Sequence, residues 1–200
     1  MDTVIASTIA VPSSLNLEED QDVQLHIFCD ASEKAFAAVA YVRVEIESIV
    51  SCHILLSKSR VAPLKKLTLP RLELQGAVLA VRLKETVVEE IDVKFSSVQF
   101  WTDSTINLQY INNESKRFKV FVANRVAEIR NHSHVDQWNF IPGKINSVVI
   151  ATRGDIEDDE AMKCWFDGPD FLLKHKADCL LMIKKSRSRT WYASYHISDH

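Results

Sequence analysis

Three strand-like runs lie between Leu25 and Lys58, joined by connections too short to hold a helix. Leu25, Ile27 and Cys29 alternate with His26, Phe28 and Asp30. Both sets are largely apolar, which predicts a central strand covered on two faces. Residues 35–47 read as a second strand with a polar far end, and residues 50–58 as a third. Parallel pairing needs a crossover of a dozen or more residues, so these three runs are most simply an antiparallel meander. The period then changes. Leu72, Leu79, Leu83 and Val87 recur at helical spacing, with Thr68 available as a cap and Pro70 tolerated in the first turn. This predicts a helix from about Thr68 to about Glu90. Residues 98–103 form a fourth strand pattern, and Ser104 can cap a short helix running to Ile111. Residues 118–130 predict a third helix with Phe121, Val122, Val126 and Ile129 on its apolar face. Residues 135–141 predict a fifth strand, Pro142-Gly143 a turn, and residues 146–152 a short helix. The order βββαβααβ(α) is that of a mixed five-stranded α/β sheet with flanking helices.

Bulk properties narrow the setting. Two hundred residues suit one domain with tails. The net charge of −3 gives no global field to attract a polyanion, so any nucleic-acid site must be a local patch. Cys29, Cys52, Cys164 and Cys179 form no C-x-x-C pair, which argues against a zinc site and suits reduced thiols inside a cell, nucleus or cytoplasm being left open. The first residues lack the basic start of a secretory signal, and no later run is long and apolar enough for a bilayer. Residues 1–21 read as a polar lead-in. Residues 155–200 read as a separate extension, expected to be partly disordered and to add little stability. It holds an acidic run at 155–160, an apolar cluster around Trp165, Phe166, Phe171, Leu172 and Leu173, and a basic run at 184–189.

Three acids close three apolar segments: Asp30 after Leu25-His26-Ile27-Phe28-Cys29, Glu73 in Leu69-Pro70-Arg71-Leu72-Glu73, and Asp103 after Phe100-Trp101-Thr102. Two strand ends and a helix start can bring carboxylates together at one rim of a sheet. Carboxylate oxygens are the ligands Mg²⁺ prefers, and paired ions can clamp a scissile phosphate. Each acid also has a plain alternative: a turn former for Asp30, a helix-dipole partner for Asp103 and Glu73. Ser104 reads as a cap rather than a nucleophile, His132 and His134 as loop residues, and Trp101 as core. Lys58, Arg60, Lys65 and Lys66 either touch phosphates or form a solvated loop.

Five ordered blocks sharpen the reading. They are Phe28-Cys29-Asp30-Ala31-Ser32, Lys58-Ser59-Arg60-Val61-Ala62-Pro63, Leu69-Pro70-Arg71-Leu72-Glu73-Leu74, Trp101-Thr102-Asp103-Ser104 and Phe121-Val122-Ala123-Asn124-Arg125-Val126. In this order they resemble the RNase H segment of Pao/BEL-type LTR retrotransposon polyproteins, over about residues 22–154. Trp165 with Gly168-Pro169-Asp170-Phe171 also resembles the stretch directly downstream of RNase H in those polyproteins. The resemblance implies an RNase H-like fold over 22–154 and a detached or domesticated fragment of a polyprotein. It further implies Asp30, Glu73 and Asp103 as catalytic metal ligands for Mg²⁺ or Mn²⁺, and RNA–DNA hybrid or another nucleic acid as partner. The family's fourth acid falls in a block reading roughly Asn-Pro-Ala-Asp-Leu-Ala-Ser/Thr-Arg-Gly. Here Asn146 and Ala151-Thr152-Arg153-Gly154 align with its ends, and Val149 takes the acid's place. Asp155 lies six residues beyond, about 240° around an ideal helix and roughly 9 Å along it, a poor substitute. The implied activity, hydrolysis of RNA in hybrids, is therefore expected to be impaired and metal binding weak or partial. A non-catalytic nucleic-acid-binding module and an inert remnant are the alternatives.

Overall fold

A computed structural model describes residues 22–47, 49–113, 117–153 and 159–186. The meander is β1 (Asp22–Ala31), β2 (Ala35–Ile46) and β3 (Ile49–Val61). The helix α1 (Leu69–Glu90) carries the chain back to β4 (Ser97–Thr102). Then come α2 (Thr105–Asn112), α3 (Val120–His132), β5 (Trp138–Phe140), α4 (Val149–Arg153), α5 (Asp159–Asp167) and α6 (Lys176–Ser186). The sheet order is β3-β2-β1-β4-β5. The meander pairs are antiparallel, while β1–β4 and β4–β5 are parallel. β1 is thus central, which is why both of its faces are apolar. One register shift falls in the β2–β3 pair between Ala40 and Tyr41. The extra β3 residue lets Leu55 and Leu56 share one core.

The first face of the sheet carries Val23, Leu25, Ile27 and Cys29 and is covered by α1 and α3. Leu72, Leu79, Leu83 and Val87 are all buried, as their spacing predicts. The second face presents Phe28, Val39, Tyr41 and Trp101. Its cover comes mainly from beyond residue 158: Phe171, Leu172, Cys179 and Ile183 are buried against it. Phe171 packs on Trp101 with ring centroids 4.8 Å apart. Polar bonds join the two layers. The Tyr41 hydroxyl donates to the Trp165 carbonyl at 2.7 Å. The buried Arg43 guanidinium donates to the Leu172 carbonyl at 2.9 Å, the Lys174 carbonyl at 2.7 Å and the Glu45 carboxylate at 2.6 Å.

Residues 159–186 contribute part of the core on the second face. The lead-in 1–21, Asp155 and residues 187–189 of the basic run lie outside the described residues. Smaller differences arise from local competition. β5 is only three residues long because Val135–Gln137 winds into a 3₁₀ turn, closed by the Gln137 side chain accepting from the His134 backbone N–H. The last short helix starts at Val149 rather than Asn146. Thr68 sits at the α1 N-cap without a side-chain bond. All four cysteines are free. Among the described residues no helix is long and apolar enough to cross a membrane.

Candidate active site

Asp30 stands at the C-terminal end of the central strand. The parallel register pairs Cys29 with Thr102, so Asp30 and Asp103 are the next residues along two adjacent strands. Neighbouring strands lie about 4.8 Å apart. Asp30 is 6% exposed. Its Oδ2 accepts from the Thr152 hydroxyl of α4 at 2.5 Å. Asp103 is half-buried and comes directly after β4. Ser104 after it caps α2, accepting the Asn107 backbone N–H.

Glu73 reaches this rim from the opposite face of the sheet. It lies just past the first turn of α1, not within it, because the helix begins at Leu69. Its Oε2 accepts from the Ser104 hydroxyl at 2.5 Å. The approach depends on Gly76, one turn further along α1. A Cβ there would meet the Asp30 carbonyl oxygen at 3.0 Å. The missing side chain lets α1 press against the end of β1. Burial raises the pKa of Glu73, the Ser104 bond partly opposes this, and the Asp30 carboxylate raises it further. The Cys29 thiol is pushed up first by burial and then by Asp103, Asp30 and Glu73.

The rim opens on a groove of about 1310 Å³ whose wall includes Asp103, Gly143, Asn146 and Val149. Gly143 makes room for the acid: a Cβ there would lie 2.9 Å from Asp103 Oδ2. Val149 is half-buried at the start of α4 and offers no polar atom from its side chain. Among the described residues no three His, Cys, Asp or Glu side chains are grouped to hold one ion. Carboxylates alone therefore do not close a coordination sphere there. The donor chemistry of Asp30, Glu73 and Asp103 nonetheless suits a hard cation, since each offers carboxylate oxygen. Asn146 Oδ1, in the same groove wall, is buried with no partner.

The sequence profile of the Pao retrotransposon-like RNaseH-like domain family matches residues 1–104, a span that holds Asp30, Glu73 and Asp103. The chain belongs to this family. No curated protein matches the chain. Among solved structures, this Pao-type chain is similar to RNase H1 from the halophilic archaeon Halobacterium salinarum NRC-1, with 12% identity and a TM-score of 0.41 over 62% of this chain and 89% of that one. It is similar to LC11-RNase H1 in complex with RNA/DNA hybrid, with 14% identity and a TM-score of 0.40 over 62% and 88%. It is also similar to the N-terminal RNase H domain of Rv2228c from Mycobacterium tuberculosis, with 10% identity and a TM-score of 0.42 over 72% and 97%.

Several features of the Pao-type rim were not legible in the sequence. Ser104 and Thr152 look like ordinary cap and helix residues, yet each hydroxyl orients an acid. On the outer side of α1 and α3, Phe121 is flanked by two guanidiniums, Arg125 at 3.8 Å and Arg71 at 5.1 Å from the ring centroid. The basic stretch singled out before α1 is less open than expected at one end, where Lys58 donates to Thr86 Oγ1 at 3.2 Å.

Proposed function

We propose that this rim is an RNase H-type site for hydrolysis of RNA in RNA–DNA hybrids, dependent on Mg²⁺ or Mn²⁺ and weakened at Val149. The observation that carries the reading is that Asp30 and Asp103 each follow the last register pair of β1 and β4, Cys29 and Thr102, while Ser104, next to Asp103, holds Glu73. Asp30, Glu73 and Asp103 are the side chains that would hold the cation. When bound, such ions activate a water and stabilise the leaving 3′-oxygen. The protein's own part is to fix the carboxylates. Thr152 holds Asp30, Ser104 holds Glu73, and Gly143 leaves Asp103 its space. Val149 supplies neither an oxygen nor a charge, so cation binding is weak and turnover slow. A hybrid is told from DNA by its 2′-hydroxyls and minor-groove shape.

The test is Val149→Asp. It restores an oxygen ligand and a negative charge, and should raise cleavage of a fluorescent RNA–DNA hybrid across a Mg²⁺ titration. Asp30→Asn in that background should abolish the gain. A second reading, a nucleic-acid-binding module that cuts nothing, draws support from the Arg71–Phe121–Arg125 stack, which offers cations to a polyanion. Hybrid binding by Val149→Asp with no faster cleavage than the parent selects that second reading.

A further inference from the structure

We propose that Arg71 and Arg125 form a two-point contact for the phosphate backbone of a nucleic acid, with Phe121 as the positioning residue for both. This rests on the reading of a nucleic-acid partner, and it holds whether or not the rim cuts. The Arg125 guanidinium lies 3.8 Å from the Phe121 ring centroid and that of Arg71 lies 5.1 Å from it. Arg71 is the third residue of α1 and Phe121 the second of α3, so the stack joins the first turns of two packed helices. Arg125 stands one turn further along α3. Its Nη1 donates to the Phe121 carbonyl at 3.4 Å and its Nε to Gln75 Oε1 at 3.4 Å. All three stacked side chains belong to half-buried residues, so the cations are fixed while part of their surface stays open.

Helix packing alone does not account for this charge arrangement. Two positive charges held on one ring repel each other. Among the described residues neither guanidinium forms an ion pair with a carboxylate, and α1 offers Arg125 the neutral amide of Gln75 instead. The helix dipoles are also opposed. α1 carries Arg71 in its first turn and Glu89 and Glu90 in its last, the reverse of what the dipole favours. Lys119 stands at the N-cap of α3, again a cation at a positive helix end, and neither first turn holds an acid. The whole chain has a net charge of −3, so this local excess of positive charge is not a by-product of a basic composition. An external anion relieves it. Guanidiniums meet phosphate oxygens through paired N–H donors in one plane, and holding them on a ring lowers the entropy lost when a phosphate arrives. A nucleic-acid backbone, with its repeated phosphates, engages both at once. Such contacts position the duplex and carry no sequence information.

The experiment measures binding of the full chain to a fluorescein-labelled RNA–DNA hybrid by anisotropy, in EDTA so that nothing is cut, at several KCl concentrations. The double variant Arg71→Gln/Arg125→Gln should bind more weakly and lower the slope of log K against log[KCl] by about 1.8, one phosphate being lost with each arginine. Phe121→Leu keeps both charges but frees them, so it should bind about two- to tenfold more weakly with the slope nearly unchanged. Arg82→Gln removes an exposed arginine of α1 that is already paired with Glu128, and should leave the slope unchanged. Thermal melts check that each variant folds. If Phe121→Leu does not, Arg71→Lys/Arg125→Lys keeps the charges without the planar stack and should show the same loss of affinity at unchanged slope. If the glutamine pair does not, each single variant should lower the slope by about 0.9. The inference is overturned if the parent binds hybrid and the glutamine variants keep its slope, or if Arg82→Gln lowers the slope as much as Arg125→Gln does. It is overturned in its account of Phe121 if the charge-keeping variants bind as the parent does. If the parent binds no hybrid at any salt concentration, the nucleic-acid reading fails with it.

Discussion

Leu172→Ala measures whether the segment after residue 158 belongs to the core of the domain. Leu172 is fully buried in the second-face cluster, beside Phe171, which packs on Trp101 and Phe28. Its backbone carbonyl, the acceptor for Arg43, is untouched by the substitution, so only apolar contacts are lost. Removing three carbons' worth of side chain forfeits roughly 2.4 kcal/mol of transfer free energy at about 0.8 per methylene. The unfilled space adds to this, and buried Leu→Ala changes cost about 2–5 kcal/mol in all. A value near 3 kcal/mol corresponds to a fall in Tm of about 6–12 °C for a chain of this size. The assay is urea denaturation of parent and variant, with an unchanged m-value showing that both unfold as one unit. Leu181→Ala on α6, where the side chain is about half exposed, is the control and should cost less than about 0.5 kcal/mol. A Leu172→Ala cost that also falls below about 0.5 kcal/mol refutes the shared core and returns residues 159–186 to the status of a loose extension.

Gly76→Ala should destabilise by about 1–3 kcal/mol through overpacking against the Asp30 carbonyl, and it should displace Glu73; Tm and Mn²⁺ affinity should fall together, whereas Ala at exposed Glu89 should move neither. His26 is buried, accepts the Trp101 indole N–H at 3.1 Å, and has its pKa lowered to about 3 by burial and by Arg43. Between pH 6.5 and about 3 the unfolded chain therefore binds a proton that the folded chain does not, so stability falls as pH falls through that window. In His26→Gln the slope of stability against pH over this range should flatten, and an unchanged slope assigns the acid sensitivity elsewhere. Arg125→Gln should weaken hybrid binding in EDTA and reduce the slope of log K against log[salt] by about 0.9 if it touches one phosphate; fluorescence anisotropy at several KCl concentrations reads this, and an unchanged slope removes Arg125 from the contact surface.

What the sequence by itself determined is what depends on near neighbours in the chain. Alternation placed β1, β2 and β3, helical spacing placed α1 and its buried Leu72, Leu79, Leu83 and Val87, and strand ends marked Asp30 and Asp103. These periods are set by backbone geometry, which a short window of residues reveals. The tertiary structure alone decided what covers the second face. Tyr41 and Arg43 read as ordinary positions toward the polar end of a strand. Their partners are carbonyls of Trp165, Leu172 and Lys174, more than a hundred residues away. Backbone carbonyls carry no residue signature, so no sequence pattern announces them as acceptors. The same holds at the rim, where Ser104 and Thr152 become partners of Glu73 and Asp30 only once α1 and α4 close on the sheet from opposite sides. Local periodicity chose the elements; the packing of elements distant in sequence chose which oxygens meet.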